Sequence, residues 1–409
     1  MSNLKDLHGL SGNELYRDVV HYSNMGDHRT GSLADLKTSD WIYQELNAIG
    51  YQSEFLNWNF RQFFIEDCWV EVYGQRLKSF PLWYPKAIGE KPLRAKLVAI
   101  ESVNDYSDLN GEVPLIRFDD EMMTPDSQHE SIINQLAEAN APAVIGYYPH
   151  ESGELYGHNA FPPFNQRPWP IPVVMIAAKD QHVIAHAAGM KDEVKIMLSG
   201  RDDADAEAKG VLARLEKGNR WIIVSTPQSG WFRSAGERGT GLALFLGLAR
   251  WSSRKKNSLS YLFMSNPGHE IGHIGMHESL KRGNIPSPEQ VLCWVHLGAS
   301  IATRGWTKEG PFLKPCESYE KKSWLLSNPE LIPVLEKGFE ELPHLTPKEF
   351  NLKRGELRWI LENGYSGFAL MGPHQAFHLE SDGPEVTGPE LLEPVAKAIA
   401  KTLLAVGNP

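Results

Sequence analysis

The sequence predicts an α/β fold: a mixed, mostly parallel central sheet flanked by helices, with a small β-rich block inserted in it. Three observations predict it. From residue 221 onward, short apolar runs bounded by turn residues alternate with helical stretches, the pattern of a parallel sheet with crossovers. Between residues 55 and 176 the chain turns aromatic and β-branched, with only one clear helix. The length, 409 residues, allows two to three domains at roughly 150 residues each.

The elements follow in order. Ser11 to Gly50 carries two apolar stripes at helical spacing, Leu15, Val19, Val20 and Tyr22, then Trp41, Ile42, Leu46 and Ile49, with Gly50 as the stop. Phe55 to Val72 reads as strand, as do Lys96 to Ile100, Val113 to Phe118 and Ala143 to Tyr147, with a helix at Ile132 to Ala139. Phe161 to Pro172 holds five prolines in twelve residues and must be an extended loop. Val173 to Ile176 is a further strand, and Asp202 to Lys209, charged and small-residued, reads as a surface return. Strands then fall at Trp221 to Ser225, Ser260 to Met264, Val291 to Val295 and Gly367 to Leu370; helices fall at Leu242 to Trp251, Leu331 to Glu341 and Val395 to Ala405. The expected division is 1–79 and 205–409 for a main α/β domain, with 80–204 inserted.

Composition narrows the class. With 42% hydrophobic and 22% charged residues the chain belongs among folding globular proteins. A formal net charge of -10 disfavours nucleic acid and anionic membranes as partners. Cys68, Cys293 and Cys316 are widely spaced and make neither a disulfide framework nor a metal knuckle, which fits a reducing compartment. Met1 to His8 is polar where an export signal would be apolar, and no apolar run approaches the roughly 18 residues of a membrane span. A cytoplasmic protein is expected.

In open α/β sheets ligands bind beyond the carboxyl ends of the strands. There the sequence places Thr226 to Ser229, Glu237, His269 and Glu270, His296, and finally His374 and His378. Imidazoles and carboxylates gathered from separate strand ends are the donors a zinc-type ion accepts. Asp382, close after His378, is placed to orient that ring. His269-Glu270-Ile271-Gly272-His273 also fits the H-E-x-x-H pattern of helical zinc sites. Gly272 and Gly275 would each cost that helix about 1 kcal/mol relative to Ala, and the strand lies too close, so His273 and His277 are expected to be structural or surface residues. There is no G-x-S-x-G elbow, and Gly236 to Gly241 lacks the order of a phosphate-binding turn.

These stretches resemble the zinc exopeptidases of metallopeptidase clan MH, which include bacterial leucyl aminopeptidases, glutamate carboxypeptidase and glutaminyl cyclase. The resemblance runs through Gly26 to Ser32, Leu46 to Tyr51, Val211 to Ser229, Ala235 to Arg250, Leu259 to Ser279 and Phe377 to Pro384. The block from about Phe80 to Gly200 is similar to the protease-associated domain often inserted in these enzymes. The resemblance implies a metal-dependent hydrolase of an amide or peptide-like bond, acting on a small or peptide-like substrate; the family often dimerises, so it also implies a homo-oligomer.

Several positions depart from the family. Thr226 stands where the first zinc histidine falls, Gln228 at its aspartate, Glu237 at the bridging aspartate, His269 at the general base and His296 at a ligand aspartate. Glu270 and His378 are kept. The expectation is therefore one zinc-type ion held by Glu237, His296 and His378 with Glu270, and His269 as base. Tyr365, which precedes the last strand, is the candidate oxyanion donor. Two other readings are open: an inactive member kept for binding or scaffolding, motivated by Thr226, Gln228 and His269, and a cyclase or lyase whose pocket is lined by some of the tryptophans, such as Trp58, Trp69, Trp83, Trp169, Trp231 and Trp306.

Overall fold

The computed structural model describes residues 8–100, 108–118, 127–162, 167–309, 312–351 and 355–407. The N-terminal stretch read for an export signal lies almost wholly outside the described residues, as does the centre of the Phe161–Pro172 loop. No helix among the described residues is long and apolar enough to cross a membrane.

Two helices, α1 (Gly12–Ser23) and α2 (Leu33–Ala48), open the chain and bury the stripes read from the sequence: Leu15, Val19, Tyr22, Ile42 and Leu46 are all inaccessible to solvent. Gly50 ends this region at a positive φ of 94°, a conformation that costs glycine least. The chain then runs β1 (Gln52–Val72), β2 (Gln75–Pro81), β3 (Leu93–Ala99), β4 (Val113–Arg117), α3 (Ser127–Glu138), β5 (Val144–Tyr147), β6 (Val173–Ile176), α4 (Gln181–Met190) and β7 (Glu193–Leu215). Neighbouring strands pair in the order β1-β2-β6-β5-β4-β3-β7, and β7 pairs back onto β1, so the block closes into a ring of strands.

The long antiparallel ribbon of β1 and β7 belongs to both parts of the molecule. Its far end joins β9, so the expected boundary at 204/205 falls inside an unbroken strand. Asp202 to Lys209 is correspondingly strand and not a surface return: Asp203 lies opposite Gln62 and Lys209 opposite Asn57. Ala206 and Ala208 point inward while Asp205 and Glu207 stay exposed, a period-2 pattern. Small and acidic residues hide such a strand in the sequence, because pairing with a partner overrides weak intrinsic preference.

The second half contributes β8 (Arg220–Pro227), α5 (Thr240–Ser253), β9 (Leu259–Asn266), α6 (Ile274–Arg282), β10 (Val291–Leu297), a hairpin of β11 (Arg304–Glu309) and β12 (Phe312–Tyr319), β13 (Trp324–Ser327), α7 (Ile332–Gly338), β14 (Pro347–Glu349), α8 (Leu357–Glu362), β15 (Gly367–Met371) and α9 (Pro389–Gly407). The sheet continues β7-β9-β8-β10-β15-β13-β14; the β9-β8-β10-β15 core is wholly parallel. Its strands are buried on both faces, which is why they read as continuous apolar runs. Helix α5 is buried along twelve of its fourteen residues, as a helix apolar all round must be. Gly247 lets α1 close on it: a Cβ there would sit 2.5 Å from Leu15 Cδ2 and 2.6 Å from the Gly9 carbonyl oxygen. Because β8, β9, β10 and β15 are parallel, their carboxyl ends at Pro227, Asn266, Leu297 and Met371 lie along one edge, and the loops that follow converge there.

Candidate active site

The loop after β8 leads into a widened turn in which Gly239 N–H reaches back to the Ser234 carbonyl at 3.0 Å. This turn carries Glu237 and Arg238, both essentially without solvent exposure. Asp382 caps it, accepting the Gly236 N–H at 2.7 Å and the Glu237 N–H at 3.0 Å. A third carboxylate contact of Asp382 is to His374 Nε2 at 3.2 Å. Asp382 thus orients His374 and the backbone of Glu237, and the ring of His378 is oriented by a different group. His378 Nδ1 donates to the Gly157 carbonyl at 2.9 Å, which turns Nε2 toward Glu237 Oε1 at 3.3 Å. Glu237 Oε1 is shared with the Arg238 guanidinium, and His378 Nε2 has Glu237 as its one facing group among the described ion pairs.

Arg238 stands beside this pair. Its Nε donates to the Ser229 carbonyl at 2.8 Å and its Nη2 lies 2.7 Å from Glu237 Oε1. Burial by itself would raise the Glu237 pKa, but the charges of Arg238 and His378 outweigh it and hold the carboxyl at about 2.

A second group lies against the first. His269, from the loop after β9, meets Glu356, the residue preceding α8, with Nδ1 2.8 Å from Oε1. His296, near the end of β10, faces the other carboxylate oxygen, Oε2, at 3.7 Å and binds Ser225 Oγ at 3.0 Å through Nδ1. The last contact follows from register, since Ser225 and His296 are directly opposite in the β8–β10 pair. Trp359 donates its indole N–H to His273 Nδ1 at 3.2 Å. Burial first, then neighbouring positive and imidazole groups, push these rings down: His273 to about 3, His296 to about 4, and His269 well below the ordinary value. They are neutral imidazoles at physiological pH.

The expected site residues therefore separate. Glu237 and His378 come together; His296 sits on the Glu356 side, and none of its described bonds reaches either of them. Glu270 turns the other way: Oε1 accepts the Thr30 N–H at 2.7 Å and the Thr30 hydroxyl at 2.5 Å, and Oε2 accepts the Ser229 hydroxyl at 2.7 Å. Both its oxygens are committed to holding the N-terminal segment. Replacing Glu270 by Gln is expected to cost about 1.5–3 kcal/mol in urea denaturation, the range for hydrogen bonds to a charged group, while leaving metal uptake intact. Lost uptake at unchanged stability would show that Glu270 is a ligand instead. Tyr365 donates its hydroxyl to the Pro286 carbonyl at 3.0 Å and packs on Trp294, so that hydroxyl is spent away from the cluster. His273 is buried beside His269 without any regular helix over 269–273, and it sits at φ 60° between Gly272 and α6. His277 is exposed and packs on Trp359.

Thr226 and Gln228 fill their places with hydrogen bonds. Thr226 donates to the Leu297 carbonyl at 2.8 Å. The Gln228 amide donates to Asp35 at 2.9 Å and to Ser39 at 2.7 Å, and accepts from Ser265 at 2.6 Å. Asp35 beneath it is raised to about 8 by burial, despite the Gln228 and Gly31 hydrogen bonds, with Glu270 adding to the rise. The folded state then keeps a proton that the unfolded chain, near 3.9, has released. Stability from this group is fully present below about pH 4 and is lost as pH rises toward 8, by up to about 1.4 kcal/mol per pH unit. Denaturation series between pH 5 and 8 should show that slope in the native protein and a flatter one in Asp35→Asn.

Glu356, Arg238 and Trp359 were not legible as site residues. Arg238 follows Glu237 directly and could have been suspected, because a cation next to a candidate ligand is unusual. Nothing in the sequence around Glu356 links it to a histidine eighty-seven positions earlier. Beside the cluster lies a cleft of about 660 Å³ whose walls include Tyr148, Tyr156, Trp306 and Phe377. Phe377 stacks on His378 at 4.0 Å between ring centres, and Tyr156 lies 5.3 Å from it.

No protein-family model and no curated protein matches the sequence. Solved structures do match the fold. The zinc aminopeptidase of Bacillus subtilis superposes with a TM-score of 0.76 at 15% identity, over 98% of this chain and 96% of that one. A peptidase precursor from Shewanella amazonensis gives 0.71 at 14% identity over 97% and 96%, and an aminopeptidase from Aneurinibacillus gives 0.66 at 16% over 97% and 93%. Identities this low establish architecture and leave the chemistry to be argued from the site. In architecture, this chain is built like the zinc aminopeptidases.

Proposed function

We propose that the protein is a metal-dependent hydrolase of an amide or peptide-like bond, working with one zinc-type divalent ion. The observation that carries this reading is the facing pair Glu237 Oε1 and His378 Nε2, buried and 3.3 Å apart, with Arg238 Nη2 also paired to Oε1 at 2.7 Å. Two donors on a tetrahedral zinc with bonds of ~2.0–2.2 Å lie about 3.3–3.5 Å apart. The Gly157 carbonyl keeps the proton of His378 on Nδ1, as the outer partners of metal-bound histidines do. Glu237 and His378 would hold the ion, which when bound polarises a carbonyl and acidifies water. His296, the third donor expected from the sequence, is assigned no bond to it.

The chain's own groups supply the proton transfers. His269 Nε2 accepts a proton from water as the water oxygen bonds to the amide carbon, and returns it to the departing nitrogen as the C–N bond breaks. Arg238 adds a permanent positive charge beside the oxygen that becomes negative. The cleft, whose walls set aromatic rings beside Glu320, Lys321, Lys322 and His374, suits a small peptide-like substrate that carries both a ring and polar groups. The ring-closed β-rich block is read as the counterpart of the protease-associated insert, and a homo-oligomer in the cytoplasm as the working form.

One observation favours a second reading. The Arg238 guanidinium already neutralises Glu237, which suits a catalytically inactive binding or scaffold protein. Elemental analysis of the purified chain, with turnover of aminoacyl chromogenic substrates before and after chelation, separates the two. The hydrolase reading expects about one divalent ion per chain and turnover that disappears with chelator and returns with zinc. No stoichiometric ion and no turnover would leave the binding protein.

A further inference from the structure

We infer that Glu356 is the residue that positions His269 to act as the base, a buried carboxylate and an imidazole working as a unit; the inference rests on the hydrolase reading above. The carboxylate lies 2.8 Å from His269 Nδ1 and is 1% exposed, against 16% for the histidine. A carboxylate oxygen can only accept here, so the proton sits on Nδ1 and the lone pair on Nε2. No described residue bonds Nε2. Nε2 is therefore the nitrogen left to take a proton, while Glu356 holds the tautomer and the angle of the ring.

The surroundings support a positioned group over an incidental contact. Glu356 makes no ion pair with a lysine or arginine among the described residues, and its Oε2 has no hydrogen-bond partner although it is buried. Its backbone carbonyl accepts the Trp359 N–H at 3.0 Å, anchoring it to the first turn of α8. The Trp359 indole in turn holds His273, whose ring lies 4.6 Å from that of His269. His269 is thus gripped through Nδ1 and packed on one face. A carboxylate in this place acts in two ways: it excludes the tautomer that would put a proton on Nε2, and it stabilises the imidazolium formed when Nε2 takes the proton from water.

The role differs from that of a residue touching substrate. Glu356 lies behind His269, so its loss should leave binding alone and slow the proton transfer. In Glu356→Gln, kcat is expected to fall by about 10²–10⁴-fold with KM within about threefold. Glu356→Asp should recover part of the loss, and thermal unfolding of both variants should stay close to that of the native protein. Nitrogen-15 NMR of histidine-labelled protein supplies a readout independent of turnover. The native chain is expected to show His269 protonated on Nδ1 with Nε2 bare, and Glu356→Gln to show the other tautomer or a mixture. A native His269 protonated on Nε2, or a Gln variant with kcat unchanged, overturns the inference. A native chain with the Nδ1-protonated tautomer but no turnover on any amide substrate overturns the hydrolase reading and, with it, the word base; the positioning contact itself would stand.

Discussion

Arg238→Met is expected to destabilise the protein by about 3–5 kcal/mol, the cost of stripping one partner from a buried ion pair. The guanidinium is 0% exposed and the Glu237 side chain 1%, so no solvent replaces the lost charge. The effect should depend on pH in a way that inverts between native protein and variant. In the native protein Glu237 is held at about 2, so its contribution is present above the ordinary carboxylate range and is lost as pH falls toward 2. Without Arg238, burial becomes the dominant influence and the carboxyl pKa rises. The variant is then hurt most at high pH, where Glu237 must be buried as an unpaired anion. Urea denaturation at pH 5 and pH 8 reads this directly. The double variant Arg238→Met with Glu237→Leu should recover most of the loss, because an apolar pair of similar volume has no charge to desolvate. A single variant as stable as the native chain at pH 8 would sink the argument that Arg238 is the compensating cation.

Trp231→Ala should cost a similar amount, about 3–5 kcal/mol, through a cavity at a place that also aims His378. Trp231 is 1% exposed, lies 5.5 Å from Trp83 and 5.7 Å from Phe80 between ring centres, and donates its indole N–H to Asn159 at 2.8 Å. Gly157 closes on its face so tightly that a Cβ there would sit 2.7 Å from Trp231 Cγ. That same glycine exchanges two bonds with His378: its N–H donates to the His378 carbonyl and its carbonyl accepts from Nδ1, both at 2.9 Å. The strand-ring block thereby reaches over to fix a group of the α/β half. Emptying the Trp231 site should lower stability and, on the proposed function, weaken uptake of the proposed ion, whereas Trp231→Phe keeps most of the volume and leaves only Asn159 unsatisfied, about 1–3 kcal/mol. Calorimetric zinc titration alongside denaturation checks both; an Ala variant within 1 kcal/mol of native would show that the loop is held from elsewhere.

Much of the architecture was legible because burial writes periodicity into sequence. The apolar runs at Trp221 to Ser225, Ser260 to Met264, Val291 to Val295 and Gly367 to Leu370 are the four parallel strands whose ends frame the site. Asp202 to Lys209 failed the same test, since a strand of alternating alanine and acid becomes a strand only by pairing with β1. The gathering of polar residues at one edge was likewise readable; of the four donors expected to share one ion, Glu237 and His378 face each other, while His296 faces Glu356 and Glu270 holds Thr30 and Ser229.

The chain alone determined the apolar elements of the α/β core and along which edge the reactive side chains collect, because alternation and apolar runs are local consequences of what must be buried; the strand at Asp202 to Lys209 needed its partner. Tertiary structure alone decided who faces whom: that Glu270 holds Thr30 and Ser229, that Arg238 shares the Glu237 carboxylate, and that Glu356 reaches His269. The Glu270 and Glu356 pairings join residues 41 to 240 positions apart, and even for the adjacent Glu237 and Arg238 the orientation of a buried side chain is set by whichever donors and charges packing brings within about 3 Å. No spacing rule along one chain records that choice.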